Sequence, residues 1–263
     1  MNKNIYLFSF IMLLICSCKT GSIYGEAQNA TKHKVALGTI GTDKDFILQS
    51  GFNSAAVPTY KNPIKVSALV TPFTKQTYKT FLKAKVLQSA NPNVGYVDSL
   101  KVKPKYIQLK IADKVNLIKA LNEKSNQSIK DYLTNKTSAN IVTNISVAFS
   151  SEVLVSIQQA ESIFLVETKA KTYALQIDKS NAEKQIIHFS EGVVFAYNTA
   201  NCCWQENKKH QLNIVDFVTD YNSCPNKTYR SSNRAKKRIN YFKLEDEEDK
   251  NINFLFAFKR YSL

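Results

Sequence analysis

The chain has 263 residues, with 36 lysines and arginines against 21 acids, a formal charge of +15 and 44 % hydrophobic residues that include 15 Phe and 13 Tyr. That apolar share excludes a disordered or fibrous protein and leaves room for one large domain or two small ones. Three histidines and five cysteines, with no CxxC pair among them, exclude the usual zinc modules.

The first element is an apolar run at residues 5–15, IYLFSFIMLLI, behind the basic start Met1-Asn2-Lys3-Asn4. It falls short of the roughly 20 residues that a membrane-spanning helix needs and matches the about 7 to 15 of a secretory leader. The abrupt change to Lys19-Thr20-Gly21-Ser22 argues against a buried first element of the domain.

The run closes on Ile15-Cys16-Ser17-Cys18, and here the chain resembles bacterial lipoproteins, whose leader ends in a small residue followed by the cysteine that receives the lipid. Cys18 fits as the acceptor because Ser17 is small enough to precede the cut. Cys16 would place bulky Ile15 there. Ile15 and Cys16 depart from the family's pattern, which usually has Leu and then a small residue, and the resemblance covers only about the first twenty residues. It implies a leader over 1–17 and a mature chain that starts at Cys18 with acyl chains on its sulfur and amine. Such a protein is anchored to a membrane that it does not span. Lys19, in place of the aspartate that retains lipoproteins at the inner membrane, implies the outer membrane. The lack of an acidic run after Cys18 implies its periplasmic face. Loss of the leader leaves 246 residues and, with Lys3 gone, lowers the charge from +15 to +14.

Residues 18–61 have little periodicity and several glycines, and read as a lipid-anchored tether that includes GTIGTD at 38–43, a lone GxxG. A globular domain is expected over 62–263. PIKVSALV at 63–70 reads as a strand. YKTFLKAKVLQ at 78–88 is read as another, with Thr80, Leu82, Ala84 and Val86 on one face, because a helix would scatter Phe81, Val86 and Leu87. ANPNVG at 90–95 reverses the chain, and KYIQLKIA at 105–112 is the next strand. Behind Asp113 as N-cap, Val115, Leu117, Ile118 and Leu121 mark a helix. Asn126 caps a second one, with Ile129, Tyr132 and Leu133 inward. NIVTNISVAF at 140–149 reads as a buried strand, Ser150-Ser151 opens a short helix with Val153, Leu154 and Ile157, and SIFLVET at 162–168 returns to strand.

Beyond Lys169 nearly everything alternates with period two. Tyr173, Leu175 and Ile177 share a face, and QIIHF, VVFAY and LNIVDFV supply three more strands. NINFLFAF at 251–258 sets Ile252, Phe254, Phe256 and Phe258 on a core-facing side. The pattern predicts the α+β class: a largely antiparallel sheet with a few short helices, a β-rich C-terminal half and a sub-boundary near 169.

With Cys16 in the leader and Cys18 acylated, Cys202, Cys203 and Cys224 meet an oxidising compartment. A bridge from Cys203, or Cys202, to Cys224 closes a loop of about 20 residues and contributes about 3 kcal/mol. A bond between the adjacent Cys202 and Cys203 is strained. His33, His188 and His210 show no ligand spacing, so neither a metal nor a cofactor is expected, and GxSxG, HExxH, Walker and GxGxxG patterns are absent. A glycan hydrolase needs two carboxylates about 5 to 9.5 Å apart. Asp216 with Asp220, or Glu161 with Glu167, are the candidates, against the plainer reading of acids in turns and on solvent-facing positions. Ten lysines face one acid, Asp98, over 61–110, and seven basic residues stand without an acid over 227–243, followed by EDEED at 245–249. Export removes nucleic acid as a partner and leaves lipid head groups, anionic glycans and envelope proteins, unless these lysines are simply solvated.

The resulting expectation is a lipid-anchored envelope protein of bacterial type, a non-enzymatic binding or accessory subunit at the periplasmic face of the outer membrane. The alternative is an envelope glycan hydrolase with an unrecognised carboxylate site. A third reading, a eukaryotic secreted protein, would make glycan acceptors of Asn29-Ala30-Thr31, Asn135-Lys136-Thr137 and Asn226-Lys227-Thr228. The lipid assignment predicts that Cys18→Ala abolishes fatty-acid labelling and releases the protein from the membrane fraction, while Cys16→Ala changes neither. Equal labelling of the two variants refutes it.

Overall fold

A computed structural model describes residues 21–23, 26–46, 49–90, 92–180, 183–207, 209, 211–220 and 222–235. Residues 1–20 with Cys16 and Cys18, His210, the acidic run at 245–249 and the strand expected at 251–258 lie outside the described residues. Among the described residues the chain forms strands β1 (Gly21–Ile23), β2 (Glu26–Ala30), β3 (Ile40–Phe46), β4 (Gln49–Ala56), β5 (Ile64–Pro72), β6 (Lys105–Ile111), β7 (Asn140–Ala148) and β8 (Ser162–Lys169). β9 (Thr172–Asp178), β10 (Lys184–His188), β11 (Val193–Glu206) and β12 (Leu212–Val218) complete the set. Four helices interrupt them: α1 (Lys75–Lys85), α2 (Lys114–Asn122), α3 (Gln127–Asn135) and α4 (Ser151–Gln158).

The strands join one largely antiparallel sheet in the order β1-β2-β11-β7-β6-β5-β8-β9-β10, with β12 on β11 and the β3–β4 hairpin on β7. β11 is the longest strand and the hub, pairing β7 over Val193–Ala200, β2 at Ala196 and Tyr197, and β12 beyond Asn201. Successive side chains of a strand point to opposite faces, so the central strands supply two cores. The larger holds Ile107 and Leu109 of β6, Ile145 and Val147 of β7, and Leu117, Leu121, Ile129 and Leu133 of α2 and α3. The smaller lies on the other face, where Tyr106, Ala148, Val193, Phe195 and Ala196 meet Phe73, Phe81 and Ala84. A bulge at Phe195, where the register steps from Val194↔Val147 to Ala196↔Ser146, puts the consecutive residues Phe195 and Ala196 into this same core.

Three segments depart from expectation. YKTFLKAKVLQ is the body of a helix rather than a strand. Thr74 and Thr77 form a reciprocal cap, with Thr77 N–H donating to Thr74 Oγ1 (3.2 Å) and Thr74 N–H to Thr77 Oγ1 (2.9 Å). Thr77, Phe81 and Ala84 form its buried stripe, whereas Leu82 and Val86 are exposed; apolar residues on the outward face hid the helical period.

Second, the described residues of the tether expected over 18–61 are folded chain. β2, β3 and β4 pair into the sheet, and Val35, Leu37, Ile40, Phe52 and Tyr60 enter the larger core. Two of the glycines read as linker serve close packing instead. Gly38 has φ +79°, and a Cβ on Gly41 would sit 2.1 Å from the Asn53 carbonyl oxygen. Third, Asn126 caps nothing. Buried between elements, its side chain accepts from Thr59 N–H (2.8 Å) and donates to the carbonyls of Thr59 (2.8 Å) and Ala120 (2.9 Å).

Elsewhere the differences are local. Asp113 does cap α2, accepting from Asn116 N–H (2.9 Å), but Val115 is exposed and Leu117, Ala120 and Leu121 form the buried face. Ser150 caps α4, accepting from Val153 N–H (3.4 Å). The position near 169 falls in the β8–β9 hairpin, where Glu167 pairs with Tyr173.

The smaller core rests on few side chains, so single truncations there are costly. Phe81 is fully buried, with its ring centroid 5.5 Å from Phe73, 5.8 Å from Tyr78 and 6.3 Å from Phe195. Phe81→Ala is expected to lower stability by about 3 to 5 kcal/mol, checked by urea unfolding.

Candidate functional site

Three of the four carboxylates considered for catalysis are tied into local structure. Asp216 on β12 accepts from Phe217 N–H (2.7 Å), and Asp220 accepts from the Asn201 side chain (2.6 Å). Glu167 accepts from Lys171 N–H (2.7 Å) at the β8–β9 turn, while Glu161 is exposed just before β8. Among the described residues no three His, Cys, Asp or Glu side chains gather as a metal site.

Cys203 and Cys224 form a disulfide with Cα atoms 5.7 Å apart, and Cys202 is a buried free thiol. The alternation of β11 separates the adjacent cysteines: Cys202 lies in the larger core, and the Cys203 disulfide draws the chain after β12 onto β11. Beside it, Trp204 and Tyr229 exchange main-chain hydrogen bonds of 2.8 and 2.9 Å. Arg230 donates to the carbonyls of Thr219 (2.7 Å) and Asp220 (2.9 Å) and to that of Asn222. This arginine of the basic stretch at 227–243 therefore closes a turn.

Two surfaces remain with the makings of a binding site. The first is the outer edge of β5. β8 pairs with β5 at Ile64 and Lys65 and with β9 from Ser162 to Lys169; the later part of β5 runs past the start of β8. Ala112 and Asp113 N–H both donate to the Lys65 carbonyl (2.9 and 3.2 Å), which fixes that carbonyl toward β6. Main-chain groups alternate along a strand, so those of Val66, Ala68 and Val70 face the opposite edge, where Val66 adjoins the end of β8 and Ala68 and Val70 lie beyond it. A groove of about 380 Å³ runs along it, floored by Val66, Ala68 and Val70 and walled by Ile157, Ala160 and Ile163. It is an opening at the rim of the larger core, since Val66, Ile157 and Ile163 are core residues.

The second surface is the outward side of α1 with the connection that follows it. Lys75, Lys79, Leu82 and Val86 recur at helical spacing and are all exposed, with Lys83 beside them. The connection folds back along the helix. Tyr96 stacks on Tyr78 at 5.1 Å, Tyr78 Oη donates to the Val94 carbonyl (3.0 Å), and Lys75 lies 3.4 Å from Asp98. Lys103 sits 5.0 Å over the Tyr96 ring. The hydroxyl of Tyr96, then Lys75 and Lys103, hold the Asp98 carboxyl below the usual carboxylate range, so the one acid of this region is already paired.

No protein-family model, curated protein or solved structure matches this chain. The lysine excess of 61–110 was visible in the sequence, but its arrangement on a helix face was not, because that segment read as a strand. The open edge carried no signal at all, since it arises from where β8 leaves β5.

Burial pushes the Cys202 thiol up to about 12, while an unfolded chain releases that proton near about 8.5. The folded state therefore retains a proton that the unfolded state loses. The stabilisation is complete below about pH 8.5 and is lost as pH rises toward about 12. In urea titrations, stability is expected to fall above about pH 9.5 by up to about 1.4 kcal/mol per pH unit on this account, and the slope to be shallower in Cys202→Ala.

Proposed function

We propose that the protein is a lipid-anchored envelope protein of bacterial type, held through Cys18 at the periplasmic face of the outer membrane, and that it acts as a non-enzymatic binding or accessory subunit. We also assign its antiparallel sheet and segregated helices to the α+β class. The leader, Ser17 and Cys18 support the address. The open half of β5 supports the role, and it is the observation on which the binding reading rests.

A strand edge with outward main-chain N–H and C=O groups takes up an extended polypeptide by adding it as a further strand, while side-chain pockets select the sequence. Here an incoming strand would point every second side chain onto Val66, Ala68 and Val70 and complete the larger core at its rim. The groove thus fits an extended protein segment whose side chains meet both Val66, Ala68 and Val70 and the polar wall of Gln158, Glu161 and Ser162. The hydrolase alternative is weaker, because Asp216, Asp220 and Glu167 already serve strand ends and turns through their hydrogen bonds.

The test places a photocrosslinking side chain at Leu69, which is 54 % exposed on the open half of β5, and irradiates intact cells. One crosslinked envelope protein is expected, and Ala68→Pro, which removes the outward N–H of an edge strand, should abolish the crosslink while leaving the fold intact. A crosslink unaffected by Ala68→Pro, or one formed within the chain itself, refutes the reading.

A further inference from the structure

We propose that the outward side of α1 and the connection after it form a membrane-docking face, which lays the domain flat on a bilayer containing anionic phospholipid. The inference deepens the lipid-anchored reading and rests on it for the placement of Cys18. Charge is the first ground. From Lys75 to Lys105 the chain carries seven lysines and a single acid, Asp98, which is already paired with Lys75. Lys75, Lys79, Lys83, Lys101 and Lys105 are exposed.

Apolar exposure in the same segment is the second ground. Val86 (81 %), Val102 (79 %), Leu87 (57 %), Val97 (57 %), Leu82 and Leu100 are open to solvent, and they make up six of the ten large apolar side chains exposed among the described residues. A solvated lysine face would need none of them. A face that meets a head-group layer uses both kinds of side chain, the lysines for the anionic surface and the apolar ones for the acyl boundary below it. A protein or glycan partner of high negative charge would satisfy the lysines but would leave six apolar side chains unexplained.

Position is the third ground. α1 lies against β1, whose first residue, Gly21, is three residues past Cys18, about 10 Å of extended chain. Just past α1, the Gln88 side chain donates to the carbonyls of Lys32 (3.3 Å) and Val194 (2.7 Å), which fixes the end of the helix beside the incoming chain. A lipid on Cys18 would therefore bring this face, and not the opposite one with α2 and α3, within the roughly 8 Å over which charges act at physiological salt.

The experiment uses the mature chain with Cys18→Ala, so that no acyl group contributes, and measures partitioning onto vesicles of phosphatidylcholine with and without phosphatidylglycerol. Binding should need the anionic lipid and weaken in high salt. Lys79→Glu with Lys83→Glu should lower the partition coefficient about tenfold or more, and Leu82→Asn with Val86→Asn should lower it in high salt as well. The same charge change at Lys119 and Lys124, exposed on and just after α2, should leave binding intact. Equal binding to both vesicle types, an equal loss from the Lys119 and Lys124 variant, or capture of a soluble polyanion without vesicle binding would overturn the proposal. Fatty-acid labelling at Cys18 reads the anchor separately, so the failure of one does not mimic the failure of the other.

Discussion

The structure depends on a single strand having to serve two cores. β11 pairs with three neighbours and turns Val194 and Tyr197 into the larger core while Val193, Phe195 and Ala196 build the smaller one. Strict alternation would send Ala196 to the larger core and Tyr197 to the smaller one; the bulge at Phe195 exchanges them, so that small Ala196 and not Tyr197 stands in the core that buries α1. Farther along, Cys203 ties the chain after β12 back to the same strand. Removing the bulge would turn Tyr197 out of the larger core.

β1 pairs with β2 and β2 with β11, so the chain close to the proposed lipid site forms the outer end of the sheet and is tied directly to its hub strand. Gln28 of β2 is buried and accepts from the Ser146 hydroxyl of β7 at 2.6 Å, across the intervening β11. A flexible leash of some forty residues, which the sequence suggested, would leave the orientation of the domain free. A strand that begins at Glu26 removes that freedom, and a lipid at Cys18 would then act close to one defined side of the protein.

What the sequence made legible follows from where each signal originates. Period two survives wherever a strand has one buried face or two, so β5 to β10 and β12 could be read almost residue by residue, and β11 over its first five residues. Asp113 and Ser150 announced their helices because a cap is a local hydrogen bond. The failures are non-local. Asn126 resembles a cap but spends its amide on Thr59, 67 residues away. Residues 26–61 lack a clean period because β3 and β4 meet the sheet only through Ile40 and Gly41, and core residues such as Val35 and Leu37 come from irregular chain. The disulfide partner of Cys224 was open between two neighbours until the alternation of β11 put Cys202 inside.

The misreading of α1 has the same origin as its proposed use. A helix that buries one side and solvates the other shows a period of 3.6, and Thr77, Phe81 and Ala84 do keep that period. Leu82 and Val86 blur it, because they are apolar where an ordinary surface helix would be polar. Folding does not require them there, since neither reaches the smaller core. Residues that weaken a structural signal without adding to the core mark positions where something other than folding acts on the sequence. On this face, which lies against a strand that begins three residues past Cys18, an anionic bilayer would meet both the charge and the apolar surface at once.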